Sequence, residues 1–422
     1  QNMPTQFLSS DNTLTRKAAR YEVGMLADQL TPSGAMTDAF GRLRISNPYT
    51  VFDSQHRYVD NGKWNTSISN GGTATHVPIE SAVNLTVTSA ANSEVIRETH
   101  RVMPYQPGKS LLTMTTFAMA PPASGLRQRV GYFGTANGIF LENDGIHNYF
   151  VLRSASLNEE FRVPQDEWNG DKFDNTGYSE RTLNVNKTQI FWIDIEWLGV
   201  GDVRCGFVVD GKPVVAHTFH NDNIRATAYM TTACLPLRYE IKNTNGSGGT
   251  MKQICSTVIS EGGYDQITKQ WAATRTAAIA CTTLTWVPVA SIKLNSNRLD
   301  SIVIPSQVHI VGTGNNAIYE YAIVRNADIV GGSWDNHTAS GGAVDYNVTA
   351  TSMTMTNASI EESGIFASSQ QSSALVNANL GYIFEQQLGR TIAGASDTVT
   401  LAARALASGV NVYGTINWNA VV

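Results

Sequence analysis

Two carboxylates lie two positions apart in the segment FWIDIEWLGVGDVRCGFVVDGKPVVAHTF, residues 191–219. Side chains alternate between the two faces of a β-strand, so Asp194 and Glu196 share one face of the strand predicted here. Retaining glycosidases need two carboxylates about 5 to 5.5 Å apart, one as nucleophile and one as acid/base. The spacing therefore raises the question of sugar hydrolysis, with carboxylates on the surface of a sheet as the alternative.

The residues WIDIE resemble the E-x-D-x-E signature of laminarinase-type retaining glycosidases, over five positions. The resemblance implies a nucleophilic glutamate at the first position, where this chain has Trp192. Asp194 and Glu196 match the second and third positions. An acid/base group without its nucleophile does not perform this reaction. We therefore predict that the chain is not an enzyme, and keep glycosidase activity as a remote alternative.

A second group of acidic side chains lies in the segment DEWNGDKFDNTG, residues 166–177. Asp166, Asp171 and Asp174 offer the oxygen ligands that calcium prefers, although their spacing is not that of an EF-hand. They are calcium candidates, with an Asx-rich turn as the alternative. The four cysteines are far apart and form no zinc motif, so no cofactor is predicted.

Composition excludes several kinds of partner. The formal net charge is −5, and the 30 basic and 35 acidic residues are spread along the chain without a polybasic run, so nucleic acid is not expected as a partner. No apolar run of 18 residues is present and no leader sequence is readable, so membrane insertion is not predicted.

The order of the segments predicts an all-β chain with two β-sandwich domains of the jelly-roll or concanavalin type. Residues 1–48 are polar and broken by Gly and Pro, and we interpret them as an extended N-terminal arm. Short runs of period two predict the first sandwich over residues 49–265 and the second over residues 284–422. The alanine- and threonine-rich residues 266–283 between them are expected to form a connector, either a short helix or a linker.

Long segments of the first half carry a family resemblance, for example TDAFGRLRISNPYTVFDSQHRY (37–58), GLRQRVGYFGTANGIFLE (125–142) and LPLRYEIKNT (235–244). Together with the segment that contains Asp194, they resemble a recurrent module of virion structural proteins in tailed bacteriophages, over residues 37–265. The resemblance implies a non-enzymatic component of the virion built on a β-sandwich. It leaves open whether the component belongs to the tail, the baseplate, a fibre or the capsid surface.

A virion component is expected to form a symmetric homo-oligomer and to contact other virion proteins. By analogy with phage appendages, a trimer is expected. The predicted assembly contacts are apolar residues of the arm and the first strand: Phe40, Leu43, Ile45, Tyr49, Val51 and Phe52. The alternative is a carbohydrate-binding module that recognises a host surface glycan through a platform of exposed aromatics: Trp64, Trp168, Trp192 and Trp334.

Overall fold

The structure is a computed structural model that describes residues 47–265, 268–369, 372–373, 376–379 and 386–421. Within these residues the regular structure consists of β-strands and three single-turn 3₁₀ helices, at Pro78–Glu80, Gln165–Glu167 and Thr338–Ser340. The predicted all-β class with β-sandwich domains is confirmed. No helix in the described ranges has the length and apolar character needed to cross a membrane.

The strands of the first sandwich lie between Tyr49 and Ser260, and the structure describes all of these residues. They are β1 (Tyr49–Gln55), β2 (Trp64–Ser69), β3 (Thr73–Val77), β4 (Ala82–Val87), β5 (Glu94–Thr99), β6 (Leu111–Ala118), β7 (Leu126–Phe133), β8 (Gly138–Asn143), β9 (Asn148–Ser154), β10 (Glu159–Pro164), β11 (Gln189–Ile195), β12 (Val203–Val209), β13 (Lys212–Phe219), β14 (Leu237–Asn243) and β15 (Gly249–Ser260).

These strands form two antiparallel sheets. The eight-stranded sheet has the order β13-β12-β11-β6-β15-β4-β3, with β1 also paired to β15, and the seven-stranded sheet has the order β10-β9-β8-β7-β14-β5-β2. Apolar side chains from the facing sides of both sheets make one continuous core. The arrangement follows from the alternation of apolar and polar residues, because each strand turns its apolar set toward the opposite sheet.

Strands β11, β12 and β13 form an antiparallel meander. Phe191 and Ile193 of β11 are buried in the core, as the period-two pattern predicted. β12 and β13 are joined by a two-residue turn in which Asp210 and Gly211 have φ values of 49° and 78°. Positive φ at both turn residues matches the right-handed twist of the flanking strands, and Asp-Gly is a sequence that adopts it readily.

The strands that follow Ser260 form the second sandwich. They are β16 (Lys269–Ala280), β17 (Val287–Leu294), β18 (Ile302–Gly312), β19 (Ala317–Arg325), β20 (Asp328–Val330), β21 (Asp335–Asn336), β22 (Val344–Asn347), β23 (Ser352–Thr354), β24 (Ser359–Ser369), β25 (Ser372–Ser373), β26 (Val376–Asn379), β27 (Thr398–Ala407) and β28 (Asn411–Val421).

A four-stranded sheet, β16-β28-β18-β26, faces a seven-stranded sheet, β21-β22-β17-β27-β19-β24-β25, across a shared core, while β20 and β23 form a separate ribbon. The expectation of a helix or linker at residues 266–283 is wrong where the chain is described, because Lys269–Ala280 is a twelve-residue strand. It pairs along most of its length with β28 at the other end of the domain. Tyr49–Val422 forms one compact unit.

Candidate functional site

The two carboxylates of the WIDIE segment have different surroundings. Asp194 is buried at the surface of the eight-stranded sheet and accepts a hydrogen bond from the Arg204 guanidinium of the neighbouring strand. Glu196 lies one residue beyond the end of β11 and is exposed. Trp192, at the position of the family's nucleophile, is buried. The segment thus offers one ion-paired carboxylate and one at the start of a loop.

The predicted aromatic platform does not form. Trp64, Trp168 and Trp192 are 8%, 1% and 5% exposed, so the expectation that they lie on the surface is wrong. Trp168 stacks on Phe150 inside the first sandwich, with ring centroids 4.1 Å apart. Trp334 is the exception, because it is half-buried and its ring lies 4.2 Å from the ammonium group of Lys293.

Two of the three calcium candidates, Asp171 and Asp174, act as turn-forming residues, and Asp166 is exposed. Asp171 is fully buried, and its two oxygens accept hydrogen bonds from the backbone N–H groups of Phe173 and Ser179, at 2.9 and 2.7 Å. Asp174 caps its own turn by accepting from the N–H of Thr176. Among the described residues, no group of three His, Cys, Asp or Glu side chains is arranged to hold a metal ion. The Asx-turn alternative accounts for this loop.

Half of the predicted assembly residues can be placed. Phe40, Leu43 and Ile45 lie outside the described residues. Tyr49, Val51 and Phe52 belong to β1, and all three line a cavity of about 390 Å³ whose walls also include residues 100–104. These three residues therefore lie at the junction between the two sandwiches. The sequence had not indicated this junction as a site.

Two chain segments that are about 290 residues apart in sequence form this junction. Residues 98–104 of the first sandwich lie against residues 387–397 of the second. The Arg390 N–H donates to the His100 carbonyl at 2.9 Å, and the Gln387 side chain donates to the Val102 carbonyl at 3.1 Å. Beside them Val102 packs against Ile302 of β18 in a small apolar cluster. Backbone and side-chain contacts together fasten one sandwich to the other.

Charged side chains complete this junction. His100 lies between Asn65 Oδ1, 2.9 Å from its Nδ1, and the Asp397 carboxylate, 2.8 Å from its Nε2. The Arg325 guanidinium donates to the same carboxylate at 3.0 Å, and the Gly389 N–H does so at 3.0 Å. Burial would raise the pKa of Asp397, but the hydrogen bond and charge of His100 and the charge of Arg325 outweigh it and hold this pKa well below its usual range.

A histidine beside an aspartate can act as a general base only if one ring nitrogen is available to the substrate. Both nitrogens of His100 already face an acceptor oxygen of the protein. The pair is therefore arranged to hold the two sandwiches together, and it does not present a base to the adjoining cavity.

The outer face of the seven-stranded sheet of the first sandwich continues this network. Arg390 donates to Glu98 at 2.9 Å, and Arg238 bridges Glu98 and Glu240 at 2.9 and 3.0 Å. Burial would raise the pKa of Glu240, but the guanidinium groups of Arg238 and of two neighbouring arginines hold it below its ordinary value. Glu98 accepts from two arginines and Glu240 from three, so the oxygens of both buried carboxylates are already engaged within the protein.

A second cleft, of about 400 Å³, opens on the other side of the junction. Its first-sandwich wall carries Thr231 and Thr232, and its second-sandwich wall carries Ser296, Asn297 and Asp300. Apolar side chains also line the cleft: Leu235, Pro236, Leu299 and Ile392. The volume lies in the range of roughly 300–1,000 Å³ that is typical of small-molecule sites.

Of the two carboxylates that line this second cleft, Glu98 is paired with Arg390 and Asp300 has unused hydrogen-bonding capacity. It is exposed, and it makes no hydrogen bond or ion pair with the part of the chain that the structure describes. The Glu98 and Arg390 side chains at the cleft's inner end neutralise each other, so the cleft has no strong cationic character. Sequence reasoning missed this cleft because its walls come from loops of two domains, and no local pattern connects residues 231–236 with 296–300.

No protein-family model and no curated protein sequence matches this chain. Among solved structures, the chain is similar to the carbohydrate recognition domain of Emp47p, with 10% identity, a TM-score of 0.33, and coverage of 53% of this chain and 99% of that one. A carbohydrate esterase from the Shiga toxin-encoding bacteriophage phi24B gives 10% identity, a TM-score of 0.31, and coverage of 51% and 99%. The Bacillus licheniformis β-glucanase gives 11%, 0.30, and 51% and 99%. No residue role is transferred from these proteins to this chain.

Proposed function

We propose that this chain is a non-enzymatic carbohydrate-binding protein whose sugar site is the second cleft, between the two sandwiches. The observation that carries the proposal is the chemistry of the cleft walls. The lining combines hydroxyl and amide side chains from both sandwiches with the unpaired Asp300 carboxylate and with apolar side chains.

This combination fits a neutral, polyhydroxylated ligand. Sugar hydroxyls are donors and acceptors at once, so they complement the side chains of Thr232 and Asn297 as well as a carboxylate that only accepts. The C–H faces of a sugar ring can lie against Leu299 and Ile392. A strongly charged ligand gains less here, because the charges of Glu98 and Arg390 are already paired.

The proposal that the protein is not an enzyme rests on the state of its carboxylates and histidines. Asp194 is ion-paired, and the nucleophile position beside it is Trp192. His100 has both ring nitrogens engaged, and Glu98 accepts from two arginines. Acid/base catalysis needs a group that can change its protonation state while touching the substrate. The alternative of a glycosidase predicts release of reducing sugar from β-glucans, lost in Glu196→Gln.

A glycan array followed by calorimetry on each bound sugar tests the binding proposal. Asp300→Asn is expected to weaken binding about tenfold or more, because a hydrogen bond to a charged group contributes roughly 1.5–3 kcal/mol. Asp222→Asn is the matched control, since Asp222 is also exposed and lies outside the cleft. A silent array, or equal affinities in the two variants, would contradict the proposal.

A second function is compatible with the first. We infer that the protein is carried on a tailed-phage particle as a structural component, in the tail, baseplate, fibre or capsid surface. Support comes from the resemblance over residues 37–265 and from the His100–Asp397 hydrogen bond and the Arg390–Glu98 ion pair that join the two sandwiches, which suit a rigid particle subunit. Light scattering and negative-stain imaging of the full chain are expected to find a discrete oligomer. A monomer at micromolar concentration would count against this role.

A further inference from the structure

The outward face of the four-stranded sheet differs in composition from the rest of the surface. Alternate residues of its strands point away from the core of the second sandwich, as the inward positions of β18 and β28 establish. The outward residues in the middle of the three strands whose side chains are described include Gln270, Ala272, Thr274, Gln307, His309, Val311, Tyr413, Thr415, Asn417 and Asn419. None of them is an aspartate, glutamate, lysine or arginine.

Cross-strand pairing arranges these side chains in rows. Ala272, Asn417 and Gln307 form one row, and the next consists of Thr274, Thr415 and His309. The hydroxyl groups of Thr274 and Thr415 are hydrogen-bonded to each other at 3.0 Å, which fixes the middle of the face. The side chains of the strand at the centre, β28, alternate regularly between buried and half-buried. The result is an ordered face of amides, hydroxyls and small apolar groups.

The opposite sheet of the same sandwich carries charges on its outer side. There Glu320 and Arg404 form an ion pair at 2.6 Å. Exposed protein surfaces ordinarily carry charged residues, whereas the centres of protein interfaces are depleted of them. The uncharged face therefore has the composition of a surface that becomes covered.

One end of this face is already used as a contact. Ile302 and Ile304 point to the same side as the rows described above, and they pack against Val102 of the first sandwich. The remainder of the face continues from that contact. Burial against protein is therefore an established use of this sheet surface within the chain itself.

We propose that the rest of this face binds the same face of a second copy of the chain around a two-fold axis. Amides and hydroxyls are both donors and acceptors, so a face built from them is complementary to itself, which a face of one charge sign is not. The formal net charge of −5 adds a net repulsion between two copies. An approach through the uncharged face encounters the least repulsion. This contact does not depend on sugar binding in the second cleft.

Asn417→Asp tests the contact with almost no change of shape. In a two-fold contact the substitution brings two carboxylates toward each other, and we expect it to raise the dissociation constant of the pair about tenfold or more at low salt. High salt is expected to restore part of the loss, because it screens the two charges. Asn186→Asp, the same change on an exposed loop of the first sandwich, is the control and is expected to change nothing.

Sedimentation velocity of the full chain, with and without each substitution, is the measurement, and circular dichroism checks that the variants are folded. Association that is weakened by Asn417→Asp and unaffected by Asn186→Asp supports the proposal. A monomeric wild type, or an oligomer that tolerates Asn417→Asp, overturns it. The proposal is also overturned if the wild type is a monomer and Asn417→Asp abolishes its binding to an insoluble polysaccharide. That result would assign the face to a glycan. Loss of sugar binding in Asp300→Asn reports on the cleft alone, so the two proposals fail separately.

Discussion

Acidification is expected to destabilise the first sandwich through His56. This side chain is 1% exposed, and neither ring nitrogen has a hydrogen-bond partner among the residues that the structure describes. Burial lowers the pKa of His56 from 6.5 to about 4, and the charges of Arg97 and His76 act in the same direction. Asp60, with one oxygen 3.6 Å from Nδ1, opposes the shift, but it is already paired with Arg97. The folded protein therefore holds this histidine in its neutral form.

The sign and size of the effect follow from the two pKa values. The unfolded chain binds a proton at His56 near pH 6.5, and the folded chain does so only near pH 4. Stability is therefore fully present above pH 6.5 and is lost as the pH falls from 6.5 through 4. For one such group, the free energy of unfolding falls by about 2 kcal/mol between pH 7 and pH 5, and by about 3 kcal/mol at pH 4.

Urea unfolding at pH 7, 6 and 5, followed by tryptophan fluorescence, measures this loss. In His56→Phe the loss between pH 7 and pH 5 is expected to shrink by about 2 kcal/mol, and the packing cost of the substitution cancels because each protein is compared with itself. His217, whose pKa burial also lowers to about 4, is expected to give the same reduction in His217→Phe. A wild type and a His56→Phe variant with the same dependence on pH would refute the reasoning.

Two further outcomes are expected. Asp397→Asn is predicted to lower the free energy of unfolding at pH 7 by about 3 kcal/mol, because it removes one partner of a buried ion pair with Arg325. The low folded-state pKa of Asp397 gives stability that is present above about pH 4 and lost below it, so the deficit measured by urea unfolding should shrink in acid. A loss of unfolding free energy in Asp397→Asn that does not depend on pH would contradict this assignment. Maleimide labelling, read by mass spectrometry, tests the burial of the cysteines. We expect the exposed Cys255 to react quickly, and the buried Cys205 and Cys281 to react only in urea. Fast labelling of Cys205 in the native protein would contradict the fold.

The strands of the first sandwich could be predicted wherever the information is local. The segment from β11 to β13 alternates with period two, and its Asp210-Gly211 turn needs only neighbouring residues to form. Strand β16 could not be predicted in this way. Alanine and threonine have no decisive propensity over Lys269–Ala280, and the strand exists because β28, more than 130 residues away, pairs with it.

The error about Trp192 has a specific physical cause. The alternation correctly placed its side chain on the face opposite to Phe191, and that face was expected to meet solvent. The partner residue on β12 is Gly206, however, and a Cβ there would lie 2.7 Å from the indole ring. The ring thus lies over a glycine that leaves room for it, and it becomes buried. The alternation along a strand predicts which face of the sheet a side chain points to, but the neighbouring residue on the paired strand decides how exposed that side chain is.

The junction of the two sandwiches illustrates why the candidate site was the least predictable part. His100 and Asp397 are separated by 297 positions, and each looks unremarkable among its sequence neighbours. Only the docking of the two domains brings them together and at the same time creates the second cleft. Carboxylates that suggested chemistry by their spacing, such as Asp194, prove to be paired with an arginine. Asp300 gave no signal in the sequence, yet its carboxylate lies unpaired in a cleft, and an unpaired acceptor is available to a ligand in a way that a paired one is not. The proposed sugar site of this chain therefore rests on a carboxylate that the fold leaves free, and not on those that the sequence pattern brings together.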